Sequence, residues 1–176
     1  MPECLIGAES APDALAVHAV SPTTLDAFLE SDGVDIAAFV RAAGFKAAAG
    51  SLLGAQGKQG IVLFLFGLGG DAGRPPLLAG RLGTGLPDGE YTLSSGFPDD
   101  SLATLAFALG AYRYTRYRDR DRSARLVLAE GPDTARIIRI VDGVYLARDL
   151  INTPANAMGP ADLAMAAEDL AARHGA

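Results

Sequence analysis

At 176 residues the chain is long enough for one domain that buries roughly 70% of its unfolded surface. A hydrophobic content of 49% excludes a disordered chain, and the longest apolar run, Ile61 to Phe66, falls far short of the ~18 to 20 residues needed to span a bilayer. A net charge of -6 and a pI near 4.8 argue against general affinity for nucleic acid or an anionic membrane, and one cysteine with two histidines leaves almost nothing for a His/Cys zinc site.

In chain order, Met1-Pro2-Glu3-Cys4 has neither a basic stretch nor an apolar core, so no secretory signal is read there. Cys4 alone cannot form an internal disulfide, which fits a reducing, cytoplasmic setting. The run Ala14 to Val20, bounded by Pro12 and Pro22, reads as a buried strand. His18 within it is expected to be a hydrogen-bonded core residue, having no His or Cys neighbour in sequence. Ile36, Phe39, Val40 and Ala43 recur at helical spacing before a Gly44 stop. "SLLGAQ" and "GIVLFLFGLGG" bracket the turn Gly57-Lys58-Gln59-Gly60 as paired strands. Gly67 to Gly89 is expected to be one long irregular region, and "EYTLSSG" a further strand.

A helix should follow over "DDSLATLAFALGAYRYTRYR", capped by Asp100 or Ser101, with Leu102, Leu105, Ala106 and Leu109 as its apolar face. "ARLVLAE" (Ala124 to Glu130) reads as another buried strand. Strands alternating with helices give an α/β class, with helices packed on a mixed sheet.

From Thr134 to Ile151 the spacing predicts a helix ~27 Å long at 1.5 Å per residue. Ile137, Ile138, Ile140, Val141, Val144, Tyr145 and Ile151 cover about half of its cylinder, more than one sheet needs, so a second packing partner is expected. Pro154 pushes Thr153 out of the helical region, so the helix should end near Asn152 in a left-handed terminal position. Asn156 can close an Asx-type turn. Gly159-Pro160 then restarts a helix with Leu163, Ala166, Ala167 and Leu170 on one face and Gly175 as its stop.

The stretch "ARDLINTPANAMGPADLA" closely resembles a motif of the cytosolic leucyl aminopeptidase family, metal-dependent exopeptidases, at the place where the N-terminal domain hands over to the catalytic domain. Arg148, Asp149, Leu150, Asn152, Pro154, Asn156 and Pro160 match it. "FGLGG" after an apolar strand and "FALGAYRYTRYR" add weaker support in the right order.

The resemblance implies a macro-domain-like N-terminal domain over residues 1–133, a connecting helix over 134–151, and the start of a catalytic domain over 152–176. It also implies, for a full-length protein, two divalent metal ions (manganese or zinc), hexameric assembly and peptide substrates. The family's metal ligands and catalytic groups lie downstream of the Asn-Pro motif, and its Asn-Thr-Asp-x-Glu-Gly-Arg signature does not occur here. No catalytic, metal or cofactor residue is therefore assigned to this chain, which is expected to be inactive alone.

The main alternative is a stand-alone binding module for nucleic acid or an ADP-ribose-type nucleotide. "GLGGDA" (Gly67 to Ala72) fits a dinucleotide fingerprint, but Gly73-Arg74-Pro75-Pro76 follows where a helix should open, so a tight turn is preferred. Tyr112 to Arg125 interleaves aromatics with six arginines, the footprint of a nucleic-acid surface. A solvated helix end is the preferred reading of that stretch, with Asp119 and Asp121 offsetting part of the charge. Asn152 and Asn156 are read as turn formers in preference to pocket residues, and Cys4 as an incidental thiol.

Overall fold

Successive side chains of a strand point to opposite faces, and the run Leu63-Phe64-Leu65-Phe66 divides the interior accordingly. Phe64 and Phe66 enter one core with Val17, Ala19, Tyr91 and Leu126. Leu65, with Leu63 packed beside it, enters a second core with Val20 and Ala55. The computed structural model describes residues 2–57, 60–117, 123–128, 131 and 133–176.

Six strands form the sheet: β1 (Leu5–Gly7), β2 (Leu15–Val20), β3 (Leu52–Gly57), β4 (Gly60–Gly67), β5 (Gly89–Leu93) and β6 (Ala124–Leu128), in the order β1-β6-β5-β2-β4-β3. Only the hairpin pair β3 and β4 is antiparallel; the other neighbours are parallel. The short helices α1 (Leu25–Glu30) and α2 (Ala37–Ala42) cover one face, burying Leu25, Phe28, Leu29 and Val40 in the second core. On the other face lie a 3-10 turn (Leu78–Arg81), α3 (Leu82–Gly85), α4 (Asp100–Ala111) and α5 (Thr134–Asn152). The chain leaves β2 toward β3 and β4 but leaves β5 toward β6. Its connections therefore diverge between these two neighbouring strands.

The expected mixed sheet flanked by helices is present, with local corrections. The stretch 67–89 is not irregular throughout, because the 3-10 turn and α3 occupy its second half, where Leu78, Ala79 and Leu82 pack into the core. Helix α4 is capped by Asp99, whose Oδ1 accepts the Leu102 N–H at 2.8 Å, and not by Asp100 or Ser101. Its buried face is Ala103, Ala106, Phe107, Ala108 and Ala111, while Leu102, Leu105 and Leu109 are only half-buried. Small residues win because the neighbouring turn comes close: a Cβ on Gly110 would lie 2.0 Å from the Gly80 carbonyl oxygen.

Helix α4 also stops at Ala111, so Tyr112 to Tyr117 are not helical. Arg118 to Arg122, the strand end Ala129-Glu130 and the turn residues Lys58 and Gln59 lie outside the described residues. The elements β1 and α1 have no counterpart in the sequence reading. In the helix at 35–44, a 3-10 turn takes the first residues, α2 the rest, and Ala43 is exposed.

Helix α5 buries Ile137 and Val141 and packs Ile138 and Tyr145 against the core. Ile140 and Ile151 stay exposed, the latter at 81%. Asn152 is its last helical residue and not left-handed; Thr153 turns the chain out at φ -73°, ψ 123°. The turn that follows is closed by the Ala157 N–H on the Pro154 carbonyl at 2.8 Å. Helix α6 (Pro160–His174) starts with proline, its Gly159 N–H donates to Asp162 Oδ2 at 2.8 Å, and Gly175 ends it. No residue of α6 is buried.

Candidate functional site

A helix leaves its last four carbonyls without intrahelical donors, and at the end of α4 other side chains meet that need. Tyr145 Oη donates to the Ala108 carbonyl at 2.6 Å and Arg148 Nη1 to the Leu109 carbonyl at 2.6 Å, both from α5. Arg113 Nη1 donates to the Gly110 carbonyl at 3.2 Å and the Tyr112 carbonyl at 2.9 Å. The Arg148 guanidinium also lies over the Tyr112 ring, 5.2 Å from its centroid, a cation–π contact.

The segment after α4 then closes onto the end of α5. Tyr112 Oη donates to Asp149 Oδ1 at 2.8 Å and accepts from Asn152 Nδ2 at 3.1 Å. Thr153, buried at the helix end, donates its hydroxyl to the Asp149 carbonyl at 2.6 Å. Its oxygen accepts from Tyr114 Oη at 2.9 Å and from Arg116 Nη1 at 3.5 Å. A buried hydroxyl left unpaired is costly, and this one is used in both directions.

Cys4 completes the clasp from β1's side. Tyr145 commits its proton to Ala108, so the Cys4 thiol donates to Tyr145 Oη across 3.4 Å. Burial pushes the Cys4 thiol up and the Tyr145 phenol far above the usual tyrosine range, so both stay protonated.

Four of the seven motif residues meet in or beside this clasp: Arg148, Asp149, Asn152 and, half-buried, Leu150. Pro154 and Asn156 lie in the exposed turn beyond it, and Pro160 opens α6. The sequence reading missed Tyr112, Tyr114 and Thr153 as partners. The one available signal was a tyrosine-rich stretch directly after an apolar helix, and nothing local says which helix it meets 37 to 40 residues later.

The rival features fare differently. His18 Nδ1 is 2.8 Å from Ser95 Oγ and its ring packs 5.1 Å from Phe28; it is hydrogen-bonded as expected, but half-buried and not a core residue. Gly67 to Ala72 leads into a turn and not a helix. The described arginines of the basic stretch are engaged within the fold: Arg113 and Arg116 in the clasp, and Arg125 with Glu90 at 2.5 Å. Among the described residues no three His, Cys, Asp or Glu side chains are placed to hold a metal ion, and no helix is long and apolar enough to cross a membrane.

A family profile for the M17 aminopeptidase N-terminal domain matches residues 15–129. The chain belongs to this family. The M17 N-terminal domain is 38% identical over 97 residues to a probable cytosol aminopeptidase of Geobacter sp. (strain M21), covering 47% of this chain and 20% of that protein. A probable cytosol aminopeptidase of Sinorhizobium fredii is 35% identical over 75 residues, covering 37% of this chain and 15% of that protein. The crystal structure of a cytosol aminopeptidase from Coxiella burnetii superposes with a TM-score of 0.83 at 29% identity, over 97% of this chain and 38% of that chain. The bottromycin maturation enzyme BotP in complex with Mn shares the fold at a TM-score of 0.68 and 23% identity, over 92% of this chain and 36% of that chain. The domain thus spans a minor part of each relative's length.

Proposed function

We propose that this chain is the non-catalytic N-terminal portion of a longer metal-dependent leucyl aminopeptidase, and that it serves assembly and access to the active site. Residues 1–133 are the domain proper, 134–151 the connecting helix, and 152–176 the first part of a catalytic domain. That domain would carry two divalent metal ions, manganese or zinc, and remove N-terminal residues from peptides in the cytoplasm within a homohexamer. The observation that carries this reading is the clasp. Arg148, Asp149 and Asn152 fix the end of α5 to α4 and to Tyr112 directly after it, and beyond the clasp comes a helix that buries nothing. A helix of fifteen residues exposing Leu163, Met165 and Leu170 is marginal in water without a surface to lie against.

The two-metal chemistry does not fit the residues described here, since a bridged pair of ions needs several converging carboxylates. No catalytic step is therefore assigned to this chain. An antibody against it, used on a lysate of the source organism, tests the reading directly. A band well above 18.1 kDa is expected, and a band at that mass would sink the proposal. Manganese-loaded chain is expected not to turn over leucine p-nitroanilide.

A further inference from the structure

In open, mostly parallel sheets a ligand crevice forms outside the carboxyl ends of the strands, at the point where successive connections diverge. Here that point is between β2 and β5, and a hollow of about 450 Å³ lies there. Its walls come from the strand ends, with Val20 and Ser21 after β2, Leu68 after β4, and Ser95 and Gly96 after β5. Gly96 is required at its site: it holds φ +83°, and a Cβ there would lie 1.8 Å from the Ala19 carbonyl oxygen. A second hollow of similar size, lined by Cys4, Tyr112, Tyr145 and Asp149, belongs to the clasp.

The polar wall of the crevice is rich in acceptors. Asp32 lines it with Ser21, Thr24 and Ser95. Asp32 is partnered by no cation within salt-bridge distance among the described residues. The one guanidinium, Arg74, donates through Nε to the Leu68 carbonyl at 3.2 Å and through Nη2 to Asp71 Oδ1 at 2.7 Å and the Gly69 carbonyl at 3.4 Å. Among the described residues none of its hydrogen bonds uses Nη1. An apolar slot of about 180 Å³ adjoins, sharing Leu68, Arg74 and Pro98 and floored by Pro75, Phe97 and Leu102.

One carboxylate, one fixed guanidinium and an apolar slot match a zwitterion with a branched apolar tail. We propose that the crevice binds a free hydrophobic α-amino acid, with its ammonium at Asp32, its carboxylate at Arg74 Nη1 and its side chain in the slot. A dianionic nucleotide would instead set its charge against Asp32 and Asp71, with only a guanidinium already shared with Asp71 to offset it. This inference stands apart from peptide hydrolysis, because it concerns binding to this chain alone.

Titration of the 15N-labelled chain with L-leucine, followed by amide chemical shifts, tests it. Saturable shifts at Ser21, Leu68, Ser95 and Leu102 are expected. Glycine, N-acetyl-leucine and leucinamide, which lack the side chain, the ammonium and the carboxylate in turn, should each bind at least about tenfold more weakly, as should L-leucine to Asp32→Asn. Asp32 is exposed, so its variant should fold, and the ligand series repeats the test without mutation. Absence of saturable shifts at the solubility limit of leucine, shifts confined to other residues, or equal binding of N-acetyl-leucine would each overturn the assignment. So would a response of these amides to ADP-ribose but not to leucine.

Discussion

Arg148 does two jobs with one side chain, supplying a donor to a helix carbonyl at 2.6 Å and a plane to stack on Tyr112. A hydrogen bond from a charged donor is worth roughly 1.5 to 3 kcal/mol, and Arg148 is half-buried, so Arg148→Ala should destabilise the chain by about 2 kcal/mol. Arg148→Lys should recover less than half of this, because an ammonium can reach the carbonyl but cannot stack as a plane. Urea unfolding of the three proteins decides it, and equal midpoints would contradict the cap. The break between the two helices was legible in sequence, since Pro154 and Pro160 punctuate the chain in a way that chemistry dictates, whereas the seven-residue motif rested on the family resemblance. What those residues touch was not legible. Asn152 illustrates why: its turn-forming propensity suggested a left-handed terminus, but Tyr112 offered its amide a partner, and Asn152 stays helical.

Among the elements, strands β2 and β4 were readable because a buried parallel strand is a short apolar run between turn residues. Helix α4 was readable as a helix but not for its contact face. Large leucines suggested one side, whereas the close approach of Gly80 to Gly110 selects the alanine side, and that is a fact of tertiary spacing. Helix α3 and the turn before it hid among glycines and prolines, because their few residues give too little periodicity to register. Helices α4 and α6 differ in a way exchange can read. Helix α4 buries five residues and α6 none, so α6 amides should exchange at rates near those of an unfolded peptide while α4 amides approach the protection of global unfolding. Slow exchange throughout α6 in the isolated chain would mean it has a support of its own.

For the molecule as a whole, acid is the expected weak point. Burial holds the His18 imidazole below its ordinary pKa of 6.5, against a smaller opposing pull from Asp32. The unfolded chain therefore takes up this proton at a higher pH than the folded one. Whatever His18 contributes is fully present above about pH 6.5 and is lost as pH falls through that value toward the folded pKa. His18→Gln should flatten this part of the stability profile, measured by urea unfolding across the same window; an unchanged slope would place the acid sensitivity elsewhere. Global architecture was legible as a class, since alternating strand and helix signals leave few layer arrangements. The order of the sheet was not, because β1 has only three residues and its pairing with β6 is 121 positions away.

The clasp has a mechanical consequence. With Tyr145, Arg148, Asp149, Asn152 and Thr153 all bonded to α4 or to the segment after it, α5 cannot swivel on its own. It is fixed to α4, which packs in the same core as Leu126 of β6 and Tyr91 of β5. The compliant part is the short stretch from Pro154 to Gly159, where one backbone bond closes a turn. A stiffening substitution in that stretch should couple α6 to the clasp as one body.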